Sequence, residues 1–366
     1  MKQKKLHKRL TILIFLLLVF GLAILFNAST VISQEQTGKP YYYFLHQLLY
    51  GGAIGTILFF VFSKINYKIF KKFSLLIFFG SLILCVLVFV PSLGMKHGGA
   101  QRWLSMGPIN FQPSEFLKLG LIIYLAAFLG KNNKSSASTA KPATLLPFLV
   151  IIAISGGIIA LQNDAGTLSL VAIIGLVMYF VSGTKLLNVI AVFLFYVSGF
   201  IALVKFFPHR MQRIMTFLNP SFDPQGIGYQ INQALLAIGS GGLTGRGLGH
   251  SIQKYSYLPE AMSDSIFAIM AEEIGFLGCA IFIILMATLI FFGFRTAQKS
   301  NNDFGKLLAC GITIWFGSQT LINIAAITGL IPLTGIPLPF VSYGSSALMI
   351  NLVAAGVLVN ISKHTN

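Results

Sequence analysis

Acidic residues are scarce in this 366-residue chain, with nine Asp and Glu against 26 Lys and Arg. Charged residues of either sign make up only 10% of it, far below the ~25% of a water-soluble domain, so a soluble globular fold is excluded. Cysteine is nearly missing too. Cys85, Cys279 and Cys310 stand far apart within apolar runs and show no metal-ligand spacing, so they are expected to be small packing residues without disulfides. The ten-residue alternation of outer-membrane strands is absent, which removes a transmembrane β-barrel. A phosphate loop is missing as well, because the glycine-rich run 240–249 has no Gly-Lys-Ser/Thr ending and no preceding strand.

What the chain has in abundance is apolar surface. It is 55% hydrophobic, with a mean hydropathy of +0.82. Apolar runs of about 20 residues, enough to cross a hydrocarbon core of about 30 Å, recur along it. The expected fold is all-α and polytopic, a single membrane domain over 1–366. Ten spans are predicted at 10–29, 43–63, 73–91, 114–130, 145–161, 166–182, 186–207, 264–294, 306–330 and 342–362. The first is too long for a signal-peptide core and stays as a helix. The eighth is long enough to tilt or to project from the membrane.

Basic residues orient the set. Seventeen of the 26 fall at the amino terminus, in alternate connections or at the carboxyl terminus, from Lys2 to Lys363. By the positive-inside rule that face is cytoplasmic, as are both termini. The net charge of +17 is therefore a topological signal facing an anionic leaflet rather than a nucleic-acid surface. Of the acidic residues only Asp303 falls on the cytoplasmic side, so the polar chemistry lies outside. Segment 131–144 is predicted to be a plain flexible linker. Two outer loops, 92–113 and 208–263, are expected to form the site. The second, between spans seven and eight, is too long to be structureless. Within it, 229–238 places Ile231, Leu235 and Ile238 on one face of an interfacial amphipathic helix.

Four of the nine carboxylates crowd into 257–273, where that loop meets span eight. Asp264 can cap the helix or act as a base at the membrane rim. Glu260 lies in the loop. Glu272 and Glu273 are buried supports, paired with Lys118 or an arginine, and Asp164 can cap span six. Glu115 and Lys118, three apart, share a helix face and can pair. Arg102, Arg210 and Arg213 lie outside despite the positive-inside bias. Their guanidinium forks suit phosphate. Ser342 opens a hydroxyl-rich segment behind Pro332, Pro337 and Pro339.

Taken together, GGAQRWL (98–104), FQPSEFLKL (111–119), QNDAGT (162–167), HRMQRI (209–214) and NPSFDPQGIGYQINQAL (219–235) resemble the FtsW/RodA/SpoVE family of peptidoglycan glycosyltransferases, as do the runs at 240–276 and 328–348. The LPEA form of the loop is closer to the FtsW branch. The resemblance implies ten transmembrane helices in the bacterial cytoplasmic membrane. It also implies polymerisation of lipid II, the undecaprenyl-diphosphate-linked disaccharide pentapeptide, into β-1,4 glycan outside that membrane, in septal synthesis. Asp264 would be the general base. Arg102, Glu115, Lys118, Arg210, Arg213, Glu260 and Ser342 would contact substrate, with Asp164, Glu272 and Glu273 supporting. A divalent cation, Mg or Mn, fits the family, although no ligand set defines it here. A class B penicillin-binding protein and other divisome or elongasome membrane proteins are the implied partners. This chain departs from the family's pattern at Met262, Ser265, Asn163, Ala165 and Ser345. A lipid II flippase and a non-catalytic scaffold are the alternative readings.

Overall fold

The computed structural model describes residues 3–97, 100–106, 109–131, 145–206, 208–219 and 222–364. The predicted linker, apart from Lys131, and the pair Gly98–Gly99 lie outside them. In chain order the helices begin with α1 (Gln3–Thr37) and α2 (Tyr42–His46), which runs through a π-helical stretch, Gln47–Ala53, into α3 (Ile54–Lys64). Next come α4 (Lys68–Lys72), α5 (Ser74–Leu87), α6 (Pro113–Lys131), α7 (Leu145–Leu161), α8 (Ala165–Val181) and α9 (Leu186–Phe206). The set continues with α10 (Pro208–Leu218), α11 (Ile227–Gly241), α12 (Ile266–Gln298), α13 (Asp303–Ile327) and α14 (Ser345–Lys363). Nine of the predicted spans each overlap a single helix, and 43–63 overlaps the run α2, Gln47–Ala53 and α3. Among the described residues seven helical runs, Tyr42–Lys64 counted as one, are long and apolar enough to cross a membrane, and α5, α7 and α8 are shorter apolar helices.

Lipid offers no water to unpaired backbone, so helices carry the crossing. They pack where small residues let backbones approach. A Cβ at Gly356 of α14 would meet the Phe59 carbonyl oxygen of α3 at 2.6 Å, and one at Gly55 would meet Met349 Cα at 3.2 Å. With α3 seated this closely, α14 is buried along nearly its whole length, whereas α9 turns most of its side chains outward. At the basic end Asn360 clasps the chain, accepting from Tyr67 N and donating to Ser63 O (3.1 and 2.8 Å).

The opposite end departs from the all-helical expectation. The first outer loop folds into a three-stranded antiparallel sheet, β1 (Gly94–His97), β2 (Ala100–Met106) and β3 (Ile109–Phe111), in the order β1-β2-β3. Strand alternation puts Arg102 and buried Leu104 on the same face of β2.

The second outer loop carries α10 and α11. The buried face of α11 is Ile231, Ala234, Ala237 and Gly241, while Leu235 is exposed. The helix therefore packs on α12 through its small residues and not through Leu235. Small side chains select that face, because a Cβ at Gly241 would fall 2.0 Å from the Ala271 carbonyl oxygen.

Span eight is long for a different reason from tilt. Gly275, at φ 66°, breaks α12 into a buried segment 266–274 and a second segment, 276–298. The glycine-rich run supplies the backbone partners lost at the break. Arg246 N and Gly247 N donate to the Glu272 and Glu273 carbonyls, while Phe276 N and Leu277 N donate to those of Gly242 and Leu243, all at 2.9–3.0 Å. Gly242, Gly245, Gly247 and Gly249 all have positive φ, which only glycine adopts freely.

Candidate active site

Asp264 sits in the turn 261–265 that feeds α12. Glu260, at φ 53°, tightens that turn, and its carbonyl accepts from both Ser263 N and Ser265 N at 3.1 Å. The helix cap is Ser265, whose hydroxyl accepts from Gln230 Nε2 (3.0 Å) and makes no capping hydrogen bond. The capping reading of Asp264 therefore fails. Its carboxylate hydrogen-bonds to none of the described residues and lines a cleft of about 380 Å³ of empty space, together with Arg213, Gln230, Asn323, Thr334 and Gly335. Burial, then the Glu260 charge, push the Asp264 carboxyl up to about 7, against the opposing pull of Arg102 and Arg213.

Three guanidinium groups converge on this region. Arg102 Nη2 donates to the Asn163 carbonyl, in the turn where Asp164 caps α8 through Thr167 N (3.0 Å) and Thr167 Oγ1 (2.8 Å). Arg210 Nη2 donates to Ala160 O (3.3 Å) and Arg213 Nη1 to Leu333 O (3.0 Å). Burial first, and then the neighbouring guanidinium charges, hold Arg210 and Arg213 below the usual arginine range. Cations so crowded lower their mutual repulsion by taking up an anion, and a diphosphate would serve.

The segment 328–344 forms the far wall and is tied down from several sides. Asn323 Nδ2 donates both to Asp264 O (2.8 Å) and to Ile336 O (2.7 Å). Gln319 Nε2 donates to Pro337 O (2.8 Å). The Ser342 hydroxyl is consumed internally, donating to Ser263 O (2.6 Å) and accepting from Leu338 N (2.7 Å). It thus holds the Asp264 turn and does not line the cleft. Ser342→Ala strands the buried Leu338 amide, an expected cost of about 1–3 kcal/mol. The check is the unfolding midpoint in detergent, and an unchanged midpoint would refute the clasp.

Glu115 and Lys118 do not line the cleft either. They form a buried pair (2.8 Å) whose ammonium also reaches Gln319 Oε1 (3.0 Å) and lies 4.8 Å from the Trp315 ring centre. Through Gln319 the pair braces the Pro337 wall.

Glu272 has an arginine beside it, Arg246, as one form of the expectation held, whereas Glu273 pairs with neither Lys118 nor an arginine. Glu273 pairs with Lys254 (3.1 Å), which also donates to Gly249 O (2.7 Å). Glu272 accepts from Ser251 Oγ (2.5 Å), Ile252 N (3.1 Å) and Gln253 N (3.3 Å), and Arg246 Nε lies 3.9 Å away. Both carboxylates hold the glycine-rich loop.

Gln230, Asn323 and Thr334 are cleft residues that the sequence reading missed. Asn323 left a signal, since an amide inside an apolar span is costly without a use. Thr334 left none. Among the described residues no three His, Cys, Asp or Glu come together as metal ligands. The donors present therefore do not fit a divalent site made by protein alone, and none of the chemistry below depends on one.

A family model for FtsW/RodA/SpoVE, described as a cell cycle protein, matches residues 8–366. Stage V sporulation protein E of Bacillus subtilis is 40% identical over 356 residues, covering 97% of this chain and 96% of that protein. A probable peptidoglycan glycosyltransferase FtsW of Coxiella burnetii is 38% identical, covering 95% of this chain and 94% of its own length. Among solved structures, one chain from "Structural coordination of polymerization and crosslinking by a peptidoglycan synthase complex" superposes with a TM-score of 0.78 at 24% identity, over 96% of both chains. The rod shape determining protein RodA of Thermus thermophilus gives a TM-score of 0.70 at 24% identity, over 96% of this chain and 95% of that one. At that identity the two structures speak for the fold.

Proposed function

The chain belongs to the FtsW/RodA/SpoVE family of cell cycle proteins, and on that premise we propose that it is a multi-pass membrane peptidoglycan glycosyltransferase with Asp264 as its general base. The observation that carries the base assignment is an unpartnered carboxylate in a half-closed cleft, balanced near pH 7 beside a group of arginines. A base works best when its pKa lies near the working pH.

In the reaction the Asp264 carboxylate takes the proton of an acceptor sugar hydroxyl. The freed oxygen attacks the anomeric carbon of the growing strand's terminal sugar. The bond from that carbon to the lipid diphosphate breaks, and the diphosphate leaves with the electron pair. Arg102, Arg210 and Arg213 are placed to stabilise the departing charge. The substrate is lipid II, the cleft opens on the outer face of the cytoplasmic membrane, and both termini are cytoplasmic. Septal synthesis beside a class B penicillin-binding protein is the cellular setting that this reading favours.

The experiment that tests the assignment is glycan synthesis from lipid II by the purified protein, read on gels. Only ionised Asp264 can accept the proton. The rate should therefore rise about tenfold per pH unit below about 7 and level off above it. Glu260→Gln removes the charge that raises this carboxyl, so the acid limb should move to lower pH. A limb that stays in place would refute the coupling.

A further inference from the structure

Two side-chain oxygens at the cleft are buried without a hydrogen-bond partner, Asn323 Oδ1 and Thr334 Oγ1. Asn323 is only 2% exposed, and the orientation of its amide is settled by chemistry. Both groups facing its nitrogen are backbone carbonyls, Asp264 O and Ile336 O, which accept but cannot donate. Nδ2 must face them, leaving Oδ1 as the buried atom without a partner. Thr334 offers a hydroxyl that is donor and acceptor at once. Its backbone is held still, because Arg213 binds the adjoining Leu333 carbonyl and Gly166 has no room for a Cβ beside the Thr334 carbonyl oxygen (2.7 Å). An unpaired acceptor and an unpaired hydroxyl on the lining of one cleft match a secondary amide, which presents one N–H and one C=O.

We propose that Asn323 and Thr334 form an acetamido-reading subsite beside Asp264, Oδ1 accepting the N–H and the Thr334 hydroxyl donating to the carbonyl of an N-acetylated sugar. This rests on the glycosyltransferase reading and deepens it, because it states which feature of the sugar is recognised. A site that leaves buried polar groups unpaired discriminates strongly against a substrate lacking their partner. The same amide that reads the sugar also holds the Asp264 backbone, so recognition and base placement share one residue.

Thr334→Val is the clean probe, since Oγ1 hydrogen-bonds to none of the described residues and the replacement is nearly isosteric. The variant and the parent are compared on a lipid-linked disaccharide and on an analogue with hydroxyl in place of the reacting sugar's acetamido group. The expected result is a loss in kcat/KM on the order of tenfold on the acetamido substrate, no loss on the analogue, and an unchanged unfolding midpoint. Equal loss on both substrates, or none on either, overturns the subsite. If the parent makes no glycan at all, the glycosyltransferase reading falls instead. Binding of a fluorescent lipid-linked disaccharide then decides the subsite. Binding about tenfold weaker in Thr334→Val supports it, and equal affinities overturn it.

Discussion

Asp264→Asn is expected to leave the protein folded and to cut glycan synthesis by about 10²–10⁴-fold, the range a positioned base contributes. The carboxylate caps no helix and hydrogen-bonds to none of the described residues, so an amide of the same size breaks no native contact. Stability should respond in the opposite sense to activity. A carboxyl raised by folding, here to about 7, adds stability that is fully present below its ordinary pKa and is lost as pH rises through 7. The Asn variant lacks this loss, so its unfolding midpoint should gain on the parent's between pH 4 and 8. Polymer made at the parental rate by Asp264→Asn would end the base assignment. A midpoint that fell instead would mean the variant was simply damaged.

The second large effect concerns Lys254. Its ammonium is buried (3% exposed) between Glu273 and the Gly249 carbonyl. Lys254→Met removes the cation and leaves Glu273 buried without its counter-charge, an expected loss of about 3–5 kcal/mol. The glycine-rich loop should loosen first, because Glu272 and Glu273 hold it from below. Adding Glu273→Gln to Lys254→Met removes the stranded charge and should restore most of the stability. Unfolding midpoints in detergent for parent, single and double variants provide the test. A single variant as stable as the parent would show that the pair contributes nothing.

The spans were legible in the sequence because a hydrocarbon core demands long apolar runs, and nothing else in the chain resembles them. Asp264 was legible from its position at a loop-to-helix junction and from its family motif. What stayed hidden depended on distant partners. Lys254 stands nineteen residues before Glu273, and only the fold brings the two together. The break at Gly275 stayed hidden because the backbone that completes its broken turn comes from residues 242–247. The packed face of α11 was misread for a related reason. Hydrophobicity pointed to Ile231, Leu235 and Ile238, whereas close approach to α12 selects Ala234, Ala237 and Gly241. The sheet 94–111 escaped notice because its strands are short and rich in polar residues. Ser342 was expected at the substrate because a serine that clasps backbone and one that meets a ligand are the same letter.

The break at Gly275 also bears on the membrane itself. Beyond it, Phe276, Leu277, Ile281 and Ile284 are exposed along an apolar helix, the surface on which changes in bilayer thickness or lateral pressure act. An unbroken 33-residue helix would transmit such loads as a rigid rod directly to the turn carrying Asp264. With the rod cut at Gly275 and 266–274 moored to the glycine-rich loop, the lipid-facing piece 276–298 is no longer one continuous lever on the turn that carries Asp264.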